Sequence, residues 1–283
     1  MKVSLKSTLA GVLLCITAPF SQAVLITPDL SILGFAEFDI TSDPFAGTGS
    51  QEGAIGSSLG GVPILPTTID DITPMGPNPQ GGLFTMLGDG VGAAASTLGE
   101  SGDVQGGYFF DFYFDLTNFS GVDDYLISFG IDFSNTVDAD GPDAYVDSEI
   151  VLEDEIGDEI FSSDLTSDTF FGDEVNGSAV MSAGDMLIDS GMFDFDITLL
   201  AGEMTFFDGF LKMDAAATMS SAFSAESAAF IYVKEVTKLT PPPMTVPTPA
   251  TIMLFLTGSL GLLARKYLMK NHKGYDHETK TIN

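Results

Sequence analysis

Within residues 135–159, NTVDADGPDAYVDSEIVLEDEIGDE, the aspartates Asp138, Asp140, Asp143 and Asp147 cluster around Gly141. Hard carboxylate oxygens crowded into a glycine-containing loop are the donor set that calcium takes, with about six to eight oxygens at roughly 2.3–2.6 Å. The spacing is not that of an EF-hand, because the glycine comes too early and the closing glutamate is out of place. Two readings stand for this stretch: a calcium site at these aspartates, or a solvated acidic loop.

Carboxylates are so abundant that a pair able to hydrolyse a glycosidic bond is available on composition alone. Yet residues 24–245 contain no Arg, His, Trp or Cys. No Arg, His or Trp is available there to orient a sugar or tune a carboxyl group, and a Ser-His-Asp triad, a cysteine nucleophile and a Cys/His zinc site are all excluded. The chain therefore reads as a non-enzymatic protein. A calcium-dependent adhesin or polysaccharide-binding module is the alternative, and an extracellular carboxylate glycoside hydrolase is a third. Absence of cysteine also rules out disulfides in this region, so the fold must rest on core packing and any bound ions.

Charge narrows the partners. The 283 residues carry a formal charge of −30, with no Lys or Arg between Lys6 and Lys212. Of the 40 acids, Asp276 and Glu278 lie in the tail, which leaves 38 against Lys212, Lys234 and Lys238 between residues 24 and 245. Nucleic acid is not a partner for such a surface, since neutralising phosphates requires clustered Lys and Arg.

The elements that must position these residues read as strands. In YFFDFYFDL, residues 108–116, Phe110, Phe112, Phe114 and Leu116 alternate with Asp111, Tyr113 and Asp115. Period two with one apolar and one acidic face predicts a half-buried antiparallel strand. DYLISFGIDF repeats the pattern through Tyr125, Ile127, Phe129, Ile131 and Phe133. Further strands are expected at 144–152, 192–199, 203–210 and 228–236. Short strands at this spacing predict an all-β, antiparallel β-sandwich or jelly-roll-like domain. The Gly/Ser/Thr/Pro-rich stretch 43–107 predicts long loops with a few short strands. The alanine-rich run 215–230 fits either a helix or an edge strand pair. The 23 phenylalanines read as core material.

Both ends read as targeting segments. Residues 1–23 combine basic Lys2 and Lys6, an apolar stretch from Leu9 to Ile16, Pro19, and small Ser21 and Ala23. That order predicts a secretory signal peptide cleaved after Ala23. The exported domain is expected to span 24–239. A proline-rich spacer follows at 240–250, then a short transmembrane helix at 251–264 and a basic cytoplasmic tail at 265–283. Arg265, Lys266, Lys270 and Lys273 place that tail inside by the positive-inside rule. The uncharged run contains only about fourteen residues after its last proline, short of the roughly 20 of a full span.

Val246, Pro247, Thr248, Pro249 and Ala250, followed by the short apolar helix and then Arg265 and Lys266, resemble the PEP-CTERM sorting signal of Gram-negative bacteria. The resemblance implies recognition by exosortase, a membrane-embedded processing enzyme. It also implies delivery to the cell surface or extracellular matrix in association with exopolysaccharide. Thr248 stands where the family usually has glutamate, and the tail after Arg265 is longer than usual. The resemblance covers about twenty residues and implies nothing direct about the exported domain, although such domains are commonly β-rich.

Overall fold

The computed structural model describes residues 24–100 and 102–239. The expected signal peptide, spacer, transmembrane helix and tail lie outside the described residues, as do Val246, Pro247, Thr248, Pro249, Ala250, Arg265 and Lys266 of the sorting motif. The strands are β1 (Leu30–Phe38), β2 (Gly49–Leu59), β3 (Val62–Pro63), β4 (Thr67–Asp70), β5 (Thr73–Met75), β6 (Gln80–Leu83), β7 (Gly90–Gly99) and β8 (Val104–Asn118). They continue with β9 (Asp124–Asp140), β10 (Ala144–Asp154), β11 (Glu159–Asp168), β12 (Glu174–Val175), β13 (Ser178–Ala179), β14 (Leu187–Leu199), β15 (Met204–Ala217) and β16 (Ala222–Leu239). Among the described residues no helix is long and apolar enough to cross a membrane.

The strands form two antiparallel sheets. The first runs β13-β12-β11-β10-β15-β8-β1-β6, and the second runs β14-β9-β16-β7-β2-β4-β5, with β3 paired to β2. Successive long strands change sheet: β7 belongs to the second, β8 to the first, β9 to the second and β10 to the first. Each change turns an apolar face inward from the opposite side, so the alternation read in the sequence builds one core between the sheets.

That core is aromatic at its centre. Phe110, Phe112, Phe114 and Leu116 of β8 are fully buried, as are Ile127, Phe129 and Ile131 of β9. Phe114 stacks on Phe207 with centroids 4.3 Å apart, and Phe129 meets Phe207 edge-on at 5.0 Å. Phe195 of β14 closes the group, stacked on Phe129 at 5.3 Å. Each such side chain contributes about 1.5–3 kcal/mol by leaving water.

Two expectations need correction. Stretch 43–107 is not mainly loop: β2 has 11 residues and β7 has 10, and they pair from Gly49–Gly99 through Ser58–Gly90. Gly, Ala and Ser in alternation have weak β signatures because they offer little side chain to pack, yet they suit a ladder where backbones and bulky neighbours approach closely. At Gly92, an added Cβ would meet the Phe230 ring at 2.8 Å. The alanine-rich run 215–230 is neither helix nor an edge pair. It forms the end of β15 and the start of β16, interior strands of opposite sheets, joined by a turn at residues 218–221.

Candidate functional site

A cleft of about 390 Å³ opens on the outer face of the first sheet. It is lined by the β1–β2 connection (Asp39, Thr41, Ser42, Asp43), by Gln105 and Phe109 of β8, by Tyr145 of β10 and by Lys212 and Asp214 of β15. Period two explains the set. Phe109, Lys212 and Asp214 are the outward-facing neighbours of buried Tyr108, Phe110, Leu211 and Met213. The volume lies in the usual range for ligand sites.

The rim is held by backbone and hydroxyl contacts. The N–H of Asp39 donates to the carbonyl of Phe109 at 3.0 Å, and the N–H of Phe109 donates to Ser42 Oγ at 3.1 Å. Ser42 Oγ in turn donates to the Asp39 carbonyl at 2.7 Å. Farther along the connection, buried Gln51 donates to the Asp43 carbonyl at 2.9 Å and to Asp71 at 2.7 Å. The connection is therefore fastened over the sheet.

Lys212 sits in the floor, facing Phe109 on one neighbouring strand and Glu149 on the other. Among the described residues the ion pairs are Lys234 with Asp194 and Lys238 with Asp123, so the ammonium of Lys212 has none. It acts at longer range: burial raises Glu149 and Asp164 above the ordinary carboxylate range, their acidic neighbours raise them further, and Lys212 offsets part of both shifts. Tyr145 donates its hydroxyl to Asp214 Oδ2 at 2.9 Å. Its pKa is pushed up to about 12, by burial first and then by the hydrogen bond to Asp214 and surrounding carboxylates. Tyr145 stays a neutral donor at any ordinary pH. Phe109 stacks on Phe210 at 5.6 Å and presents an apolar flank beside these polar groups.

The aspartates singled out by the sequence fall elsewhere, and the fold separates them. Asp138 and Asp140 lie on the outer side of β9 in the second sheet, whereas Asp147 lies on the outer side of β10 in the first. The chain changes sheet at Gly141, so carboxylates of equal outward parity end on opposite faces of the sandwich. Asp143, in the turn, accepts a hydrogen bond from Thr218 Oγ1 at 2.6 Å, and Asp147 accepts one from Thr166 Oγ1 at 2.8 Å. Among the described residues no three His, Cys, Asp or Glu side chains converge to hold a metal ion.

Sequence reasoning did not pick out the cleft. Its one signal was Lys212, the only basic residue between Lys6 and Lys234. Which acids and aromatics surround it depends on pairings of β15 with β8 and β10 between residues as far apart in sequence as Lys212 from Phe109 and from Glu149.

No family model matches this chain, and no curated relative matches it. Among solved structures, one of infectious bursal disease virus Gt strain aligns at 10% identity over 90% of this chain and 79% of that chain, with a TM-score of 0.14. One of the Gx strain aligns at 10% identity over 86% and 75%, with a TM-score of 0.16. At such scores the likeness carries no argument about function.

Proposed function

We propose that this chain is a non-enzymatic, exported protein of the cell surface or extracellular matrix, carried by an exosortase-type C-terminal signal and associated with exopolysaccharide. The observation that supports this reading most is the order of segments along the chain. Strand β16 stays in its ladder to Leu239, which pairs with Asp124, and the proline-rich spacer begins directly afterwards. A folded acidic body followed in the sequence by a proline-rich segment, an apolar run and a basic cluster has the order expected of a domain carried by a C-terminal sorting signal.

The test is mass spectrometry of the surface fraction from isogenic hosts with and without an exosortase. Peptides from residues 24–239 should appear at the surface only in the first host, without peptides from 272–283. Stoichiometric recovery of the tail from the surface of that host rejects the reading and leaves a plain membrane anchor.

A polysaccharide-binding role for the exported domain is the second reading, and the cleft favours it. Carboxylates at Asp39, Asp43 and Asp214 accept from sugar hydroxyls, while Lys212 donates to them. Phe109 offers an apolar flank to ring C–H groups. The ligand would be neutral or cationic, because a surface bearing 38 acids against three lysines repels polyanions.

A further inference from the structure

Among the described residues both sheets are open, with four terminal strands: β13 and β6 on the first sheet, β14 and β5 on the second. Open edges expose unpaired N–H and C=O groups and recruit other strands unless they are blunted. Three of these are blunted. β13 has two residues, β5 has three and includes Pro74, and β6 has four, with Gly81 and Gly82 at φ 145° and 155°.

β14 is built differently. It has 13 residues, contains no Pro or Lys, and pairs with β9 without a bulge from Leu187 to Leu199. Its exposed apolar residues include Ile188 at 60%, Met192 at 79% and Phe193 at 37% exposure. Its three carboxylates are already occupied within the domain. Asp189 accepts from Ser163 Oγ at 2.8 Å, Asp196 accepts from Ser128 Oγ, and Asp194 pairs with Lys234. One of only three lysines on a strongly acidic domain is thus spent on this edge strand.

We propose that β14 is a self-association edge, pairing antiparallel with β14 of a second copy to continue the second sheet across a two-fold axis. The sequence of the strand fits its own reverse. With the axis at Gly191, Ser190 faces Met192, Asp189 faces Phe193, Ile188 faces Asp194 and Leu187 faces Phe195 of the other copy. No carboxylate opposes a carboxylate, which a ladder of like molecules needs because opposed like charges are destabilising. An isologous contact of this kind closes on itself as a dimer. The whole-domain charge opposes the contact, so the dimer should strengthen with salt as the screening length falls to roughly 3 Å at about 1 M.

The test uses the full chain with Cys15→Ser, which removes the sole native thiol. Sedimentation across a dilution series at high salt should show a monomer–dimer equilibrium. Ile188→Asp sets two carboxylates opposite each other and should weaken the dimer by about tenfold or more. Ile156→Asp, the same charge change in the exposed β10–β11 turn, should not. Under mild oxidation Gly191→Cys should give a covalent dimer, because directly opposed residues in an antiparallel pair lie about 4.5–5.5 Å apart at Cα, within disulfide reach. Ile156→Cys should not cross-link. A monomer at all concentrations in high salt overturns the proposal, as does a dimer indifferent to Ile188→Asp or cross-linking equally through Ile156→Cys. None of these outcomes depends on export or on glycan binding.

Discussion

Asn135, in β9 of the second sheet, donates its side-chain amide to the backbone carbonyl of Ser148, in β10 of the first, at 2.8 Å. The contact crosses the core. The same amide reaches the Ser163 carbonyl at 3.2 Å, while Asn135 Oδ1 accepts from Ser227 Oγ at 2.6 Å, and Ser227 bonds Ser148 in turn. All four residues are buried, with Asn135 at 0% exposure. A polar tie of this kind fixes the register of the two sheets, since a slip would strand every member without a partner.

Replacing Asn135 with Leu should therefore cost about 2–4 kcal/mol, most of it from hydroxyls left unsatisfied in the core. Removing the whole network, as Asn135→Val with Ser148→Ala and Ser227→Ala, should cost less than the sum of the single changes. Urea unfolding of the four variants measures the coupling. Strict additivity would show that the tie does not act as a unit.

Asp89 makes a different kind of clamp. It is completely buried, and its carboxylate accepts from the backbone N–H groups of Thr85 at 2.7 Å, Gly61 at 2.8 Å, and Gly60 and Met86 at 2.9 Å each. Gly60 and Gly61 form the β2–β3 turn at positive φ, so a single anion pins that turn to the β6–β7 connection. Asp89→Ala should lose about 3 kcal/mol or more, as four donors lose a charged acceptor. Asp89→Asn keeps the shape and half of the acceptor capacity, and should fall between. Equal stability of Asp89→Ala and the parent in urea would refute the clamp.

The sequence made the aromatic core legible and left the cleft hidden, for one physical reason. In β8, Tyr108, Phe110, Phe112, Phe114 and Leu116 recur at every second position, and burial follows from local period alone. The cleft depends on which outward residues become neighbours across strands, and pairing is long-range. The acidic cluster is dispersed for the same reason: Asp138 and Asp147 are nine positions apart in sequence, but the sheet change at Gly141 sends them to opposite faces. In β2 and β7 small residues gave no period to read, because their partners, not they, supply the bulk.

Lys212 offers a readout of the cleft that does not depend on knowing the ligand. Its charge lowers the pKa of both Glu149 and Asp164 against burial and their acidic neighbours. Lys212→Met should thus raise both carboxyl groups, visible in a side-chain carboxyl NMR titration, with little change at Asp138 on the far sheet. If the cleft binds glycan, the same variant should weaken that binding by about tenfold or less, the loss of one charged donor. Binding that is unaffected by Lys212→Met and by Tyr145→Phe would place the glycan site elsewhere.

The pH dependence of stability should be two-sided. Asp111, Asp138, Glu149 and Asp164 are all raised, by burial first and by nearby carboxylates after it. For a raised acid the folded state holds the proton more tightly than the unfolded chain. Stability then falls as pH climbs from the unfolded pKa through the folded one, and acidification restores it. Asp173 behaves oppositely. Burial alone would raise it, but the Ser182 hydroxyl at 2.6 Å and the N–H groups of Gly184, Asp185 and Asp168 outweigh burial and lower it. What Asp173 contributes is fully present above the unfolded carboxylate range and is lost as pH falls through its folded value. Melting temperature at constant ionic strength should rise as pH falls through the raised carboxyl groups towards the ordinary carboxylate range of about 4, then drop as pH falls further through Asp173. Glu149→Gln with Asp164→Asn should flatten the neutral limb and leave the acid limb. Asp173→Asn should lower stability at neutral pH and flatten the acid limb, because the group that loses its charge there is gone. A melting temperature that declines steadily from pH 7 downward in the parent would show that the raised carboxyl groups do not govern stability at neutral pH.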